Sequence, residues 1–295
     1  PAPATRTRVP AKAERSRLEE VMVGALPRAN RPYNTAMQVA ILCGGRGTRI
    51  QGEVANVPKP MVPIGGFPIL WHIMKIYSHF GHTEFIPCLG YRSWDFKEYF
   101  MNYRAKMADV TVRLGANTNE THAHEAADEK DWVIHLAETG LNALTGARVK
   151  RIQKYITDDV FMMTYGDGVA DIDIHALTEF HKSHGKIATL TAVRPPSRFG
   201  DLDIQGAQIT AFKEKLEVGQ GAINGGYFVL NREVFDYLDD REDLTFEQEP
   251  LKQLAADGEL MAYEHNGFWL PMDTYREWDI LERMWNSNLA PWKSW

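Results

Sequence analysis

The residues from Val39 to Arg49 constrain this chain more than any other stretch. Val39-Ala40-Ile41-Leu42 is a short apolar run, which predicts a strand buried on both faces. Cys43 follows, and Gly44-Gly45-Arg46-Gly47-Thr48-Arg49 then breaks the run. Glycine lacks a Cβ, so such a turn bends sharply and brings main-chain N–H groups close to a ligand. Successive N–H groups of this kind form a concave anion site. Arg46 and Arg49 add guanidinium forks, which pair with phosphate bidentately. Further on, Lys59 stands between two prolines in Pro58-Lys59-Pro60-Met61. The prolines restrict the backbone on either side of it. A buried strand, a glycine turn with arginines and a stiffly held lysine describe a polyphosphate site. Two common phosphate motifs do not fit. The G-x-G-x-x-G pattern fails because Thr48, Arg49 and Ile50 follow Gly47, and G-x-x-x-x-G-K-[ST] occurs nowhere.

Size and charge narrow the class. A chain of 295 residues, 44% hydrophobic and 24% charged, holds one large α/β domain or two small ones. A net charge of −6 argues against a general nucleic-acid binder. Cys43 and Cys88 are the two cysteines, and neither lies in a C-x-x-C pattern, so a zinc site or a disulfide framework is not expected. No apolar run reaches the length of a membrane span, so a cytoplasmic setting without a membrane partner is expected. Residues 1–36 differ in composition: Pro1 to Arg17 is rich in Ala, Pro and Arg, with Glu14 as the lone acid, and lacks the apolar core of a secretory signal. They read as a solvated leader, with the folded domain over 37–295.

Hydrophobic spacing predicts alternating strands and helices. Strands are expected over 39–42, 85–89, 109–114, 132–137, 160–165, 187–193, 227–230 and 260–263, with Pro87 awkward inside the second. Helices are expected over 68–80, 94–103, 144–156, 246–256 and from about 274 to 285. Residues 202–212 read as an antiparallel hairpin, and 115–131 as a polar excursion whose His122 and His124 are solvated rather than metal-bound. This rhythm predicts an α/β fold with a parallel sheet and helices on both faces. Asp167, between Gly166 and Gly168 at a strand's carboxyl end, lies where open parallel sheets bind ligands. It suits Mg²⁺, and the plainer reading is an Asp-Gly turn. Asp273 is a second acid at a turn before a helix, where an N-cap is the ordinary role. Thr145-Gly146 at a helix start can offer N–H groups to a flat base, or be a simple cap.

The string G-G-x-G-T-R followed by P-K-P-M resembles the signature of the sugar-phosphate nucleotidyltransferases. From Met37 onward, the order GGRGTR, PKPM, TYGDGVADIDI, FKEK, NGGYFVLN, FEQEPL and GFWLPMDT is similar to the glucose-1-phosphate cytidylyltransferase family. The resemblance implies a Rossmann-like, mixed but mostly parallel sheet flanked by helices, with a small β-hairpin at the sugar. It implies synthesis of CDP-glucose and pyrophosphate from CTP and α-D-glucose 1-phosphate, Mg²⁺ dependence and a homo-oligomer, commonly a hexamer. By matching position, Leu42, Cys43, Gly44, Gly45, Arg46, Gly47, Thr48 and Arg49 would hold CTP, aided by Thr145, Gly146, Arg148 and Gly166. Lys59 and Arg49 would act on the reacting phosphates. Asp167 and Asp273 would bind Mg²⁺, and Glu214, Lys215, Asn224 and Gly226 the sugar phosphate. Cys43 departs from the family's usual alanine and Leu216 from its usual proline, while residues 1–36 have no counterpart. UTP or dTTP in place of CTP, another sugar 1-phosphate, and an inactive regulatory subunit stay open. Retention of Lys59, Asp167 and Asp273 together weighs against the last.

Overall fold

The apolar run at Val39 becomes the middle of the sheet because both of its faces have a dry neighbour. Val39 and Ile41 enter one hydrophobic cluster and Ala40 the other, and all three are fully buried. The computed structural model describes residues 36–45, 57–114, 119–124, 129, 131–194, 201–205, 208–213 and 221–295. In chain order the strands are β1 (Gln38–Leu42), β2 (Pro63–Ile64), β3 (Phe67–Pro68), β4 (Glu84–Leu89), β5 (Val110–Leu114), β6 (Asn119–Ala123), β7 (Val133–Ile134) and β8 (Ala137–Glu138). They continue as β9 (Val160–Tyr165), β10 (Gly168–Ala170), β11 (Ala188–Val193), β12 (Asp201–Gln205), β13 (Gln208–Lys213), β14 (Ile223–Asn231), β15 (Leu260–His265) and β16 (Trp269–Pro271). The α-helices are α1 (Ile69–His79), α2 (Ser93–Met101), α3 (Tyr103–Met107), α4 (Thr145–Arg151), α5 (Ile174–His184), α6 (Glu249–Ala256) and α7 (Tyr275–Asn286).

The main sheet runs β15-β11-β14-β9-β1-β4, with β7 and β8 both laid along β4. β1 is parallel to β4 and β9, and β11 is parallel to β15. β14 alone runs against its neighbours, β9 and β11. The sheet is thus mixed and mostly parallel, as expected. Ile69, Ile73 and Ile76 of α1, Ile174 and Leu177 of α5, and Leu281 of α7 fill the cluster on one face. Ala147 and Val149 of α4 and Leu251 and Leu254 of α6 fill the other. Residues Ala36–Trp295 form a compact unit.

Pro87 is tolerated for a geometric reason. The carbonyls of Phe85 and Leu89 accept from His135 and Thr139, so alternate residues of β4 face β7 and β8. Ile134 ends β7 and Ala137 begins β8, so the missing donor of Pro87 falls opposite the break between them. One strand expectation is corrected. Residues 110–114 do not join the main sheet; they pair with β6 as a separate two-stranded ribbon. Val110, Val112 and Leu114 alternate with Thr111 and Arg113 and stay exposed, unlike the unbroken apolar run of β1.

Candidate active site

The carboxyl ends of β1 and β9 lie side by side, with Leu42 opposite Tyr165. Beyond them the chain turns at Cys43-Gly44 and at Gly166-Asp167. These turns approach closely: Gly166 N–H donates to the Leu42 carbonyl over 3.1 Å. A Cβ on Gly166 would lie 2.8 Å from that carbonyl and 3.1 Å from Cys43 Sγ, so no larger residue fits. Lys59 reaches the same edge from a 3₁₀ turn, Lys59–Met61, closed by Met61 N–H to the Pro58 carbonyl at 2.7 Å. Its Nζ donates to Asp167 Oδ2 at 2.5 Å and to Asp273 Oδ1 at 2.6 Å.

Asp167 and Asp273 are far apart in sequence, and a small ribbon unites them. β10 pairs antiparallel with β16, Gly168 opposite Pro271, and Met272 N–H donates to the Asp167 carbonyl over 2.8 Å. The two acids emerge side by side from its open end. Asp273 is not the cap of α7. Thr274 is, in a capping box with Glu277, whose carboxylate also accepts from the N–H groups of Asp273 and Thr274 at 2.9 and 2.8 Å. Burial disfavours the Lys59 ammonium, but the Asp167 and Asp273 carboxylates outweigh it and hold its pKa above the ordinary lysine value. One ammonium between two carboxylates still leaves a formal negative charge. A polyphosphate approaching this edge therefore needs a further cation. Two carboxylates converging on one point suit Mg²⁺, which completes its shell with phosphate oxygens and water.

Next to this trio lies a cleft of about 220 Å³, lined by Tyr165, Asp167, Asn224, Gly226, Trp269 and Asp273 among others. The Asn224 side-chain carbonyl accepts from Gly226 N–H at 2.8 Å. Gly226 has φ +80°, and a Cβ there would lie 2.6 Å from the Tyr165 ring, so glycine is required on both counts. Trp269 Nε1–H donates to the Gly225 carbonyl over 2.7 Å and fixes the opposite wall.

The base-side expectations fare differently. Arg148 is buried. Its guanidinium donates to the carbonyls of Leu89, Gly140 and Gly44 at 3.0, 2.9 and 3.0 Å and to Thr139 Oγ1 at 2.8 Å. A Cβ on Gly44 would lie 2.0 Å from this guanidinium, so Gly44 accommodates Arg148. Arg148 ties the ends of β1, β4 and β8 together and bonds Gly44 of the glycine turn. Gly146 is held by a residue distant in sequence. The N–H groups of Gly146 and Ala147 both donate to the Leu244 carbonyl, at 2.9 and 3.2 Å, and a Cβ on Gly146 would lie 2.7 Å from Leu244 Cγ. The glycine serves packing between the start of α4 and the 242–247 segment. Thr145 accepts from Phe246 N–H at 2.9 Å and donates to Glu247 at 2.6 Å.

The structure thus brings together Lys59, Asp167, Asp273, Gly166, Asn224 and Gly226, with Leu42, Cys43 and Gly44 at the same sheet edge and Gly45 exposed beyond them. Arg46, Gly47, Thr48, Arg49, Glu214 and Lys215 lie outside the described residues. Tyr165, Trp269 and Glu247 were not singled out in the sequence. Tyr165 read as a strand end and Glu247 as a helix residue, and nothing local marks their convergence with Asn224.

Comparison with known proteins gives the chain a family. The nucleotidyl transferase family model matches residues 38–278. A glucose-1-phosphate cytidylyltransferase of Salmonella typhi is 53% identical over 260 residues, 88% of this chain and 100% of the relative. The mannose-1-phosphate guanylyltransferase catalytic subunit beta of Xenopus tropicalis is 31% identical over 255 residues, covering 84% of this chain and 64% of the relative. Among solved structures, HddC from Yersinia pseudotuberculosis superposes with a TM-score of 0.59 at 22% identity, over 84% of this chain and 99% of its own, and shares the fold. The chain belongs to the nucleotidyl transferase family and, within it, to the glucose-1-phosphate cytidylyltransferases.

Proposed function

We propose that this enzyme transfers a cytidylyl group from CTP to α-D-glucose 1-phosphate, giving CDP-glucose and pyrophosphate. The observation that carries the chemistry is the Lys59 ammonium held between Asp167 and Asp273 at the carboxyl edge of the sheet. The choice of substrates rests on the 53% identical relative. A phosphate oxygen of the sugar phosphate attacks the α-phosphorus of CTP in line. A new P–O bond forms, the bond to the bridging oxygen breaks, and pyrophosphate leaves. Phosphate is itself a competent nucleophile, so no serine, cysteine or histidine nucleophile is needed. What the chain supplies is alignment and charge neutralisation. Lys59, stiffened by its flanking prolines, meets the charge that develops on the reacting phosphates. Asp167 and Asp273 would hold a divalent cation, Mg²⁺, which neutralises phosphate charge when bound. Arg49 and the glycine turn would grip the triphosphate, while Asn224, Gly226, Glu214 and Lys215 would receive the sugar phosphate.

The same reading makes the enzyme a cytoplasmic homo-oligomer, a hexamer by resemblance; no helix among the described residues is long and apolar enough to cross a membrane. Pyrophosphate release, measured for CTP, UTP and dTTP against the 1-phosphates of glucose, galactose and mannose, tests the substrates. CTP with glucose 1-phosphate is expected to give the highest kcat/KM; a higher value for another pair overturns the choice.

A further inference from the structure

Glu247 sits between the Thr145 turn and Tyr165 of the cleft. Its Oε2 accepts from Thr145 Oγ1–H at 2.6 Å, and its Oε1 accepts from the Tyr165 hydroxyl at 2.6 Å. The Tyr165 oxygen in turn accepts from the Asn224 amide over 2.9 Å, and the Asn224 side-chain carbonyl accepts from Gly226 N–H. An ionised carboxylate only accepts, so both hydroxyls must donate toward Glu247. Tyr165 then has only lone pairs to offer Asn224, which fixes which end of that amide faces Tyr165. One charge therefore sets the direction of the bonds from Thr145 to Asn224, and Gly226 N–H, which can only donate, holds the amide in the same sense. Burial, followed by the Glu247 charge, holds the Tyr165 hydroxyl far above the ordinary phenol range, so it remains a donor at all working pH values. The chain is firmly seated: Phe246, next to Glu247, is fully buried against Phe228 and donates its N–H to Thr145.

We propose that Glu247 is a positioning residue for the transfer reaction, orienting the Asn224 amide toward the sugar through Tyr165 and holding the Thr145 turn on the nucleotide side. This rests on the substrate reading above, which places the sugar at Asn224 and Gly226. Glu247 is not among the residues lining the described cleft and would act through the two hydroxyls. Tyr165 and Gly226 N–H hold the Asn224 amide in one sense from its two ends, which leaves its remaining amide hydrogen to donate to a sugar hydroxyl. The carboxylate thus couples the two halves of the site without entering the cleft.

Steady-state kinetics of Tyr165→Phe, Glu247→Ala and the double variant test this, with glucose 1-phosphate and CTP varied in turn. Tyr165→Phe keeps the ring beneath Gly226 and cuts only the sugar arm. It is expected to raise KM for glucose 1-phosphate about tenfold, the scale of a lost hydrogen bond to a charged group, with KM for CTP within about twofold of wild type. Glu247→Ala is expected to raise both KM values, and the double variant to be no worse for the sugar phosphate than Glu247→Ala alone. A general structural role would instead lower the melting temperature and the active fraction, leaving both KM values in place. A sugar-phosphate KM within twofold of wild type in Tyr165→Phe, or effects that multiply in the double variant, overturns the proposal. Wild-type turnover in the same assay tests the substrate reading separately. If wild type prefers another pair, the same KM ratios on that pair decide the role of Glu247.

Discussion

At the scale of residues, three charges carry the account. Lys59 is held by two prolines and two carboxylates, so it is already placed where charge develops. Lys59→Ala is expected to lower turnover by roughly 10²–10³, as loss of one positioned oxyanion donor does, while CTP affinity by calorimetry changes little. Collapse of CTP affinity with normal saturated turnover would make Lys59 a ground-state anchor instead. Asp273→Asn separates the metal role from the capping role, because Thr274 and Glu277 already cap α7. The variant is expected to melt like wild type, lose most activity and require more Mg²⁺. Activity near wild type with an unchanged Mg²⁺ requirement would remove Asp273 from the metal site. Lys59, Asp167 and Asp273 were legible in the sequence because each stands in a distinctive local frame: Pro-Lys-Pro, Gly-Asp-Gly and a turn before a helix. The contacts of Arg148 and Gly146 were not legible because their neighbours are distant in sequence. The carbonyls that hold Arg148 come from three separate strand ends, and Leu244 packs on Gly146 from a remote segment.

At the scale of elements, strands and helices of the main sheet followed from apolar spacing, since each buries a face that its pattern defines. What spacing could not give was the β10–β16 ribbon. Its three-residue strands are too short to carry a period, yet this ribbon joins Asp167 to Asp273. Two histidines seat α1 and the start of β1. His72 Nε2 bonds the Ile64 carbonyl and its Nδ1 accepts from Trp292, while His82 Nδ1 accepts from Met37 N–H. These acceptor roles need neutral rings, and burial lowers both pKa values to about 4. Unfolded histidine titrates near 6.5, so below that pH the unfolded chain takes up protons the folded one refuses. Stability is therefore full above pH 6.5 and falls as pH drops toward 4, by up to about 1.4 kcal/mol per pH unit for each histidine. Urea unfolding between pH 7.5 and 5 measures this, and His82→Gln is expected to flatten the slope. An unchanged slope in that variant would show that His82 is not a source of it.

At the scale of the whole molecule, a mostly parallel sheet gathers its ligand-facing turns at one edge, and relatives as different as a cytidylyltransferase and a guanylyltransferase share this family. The fold was legible because strand–helix alternation leaves few topologies; the single reversed strand, β14, was not, because nothing in its apolar run records direction. Deleting residues 1–36 is expected to leave the melting temperature and turnover nearly unchanged, given their composition. Insolubility, or loss of most turnover, would show that the leader supports the domain. The central claim is that the sugar phosphate itself attacks the α-phosphorus of CTP. Mass spectrometry of the products made with glucose 1-phosphate carrying ¹⁸O in its phosphate oxygens measures this directly. All of the label is expected in CDP-glucose and none in pyrophosphate; label in the pyrophosphate, or an absence of labelled CDP-glucose, would contradict the account.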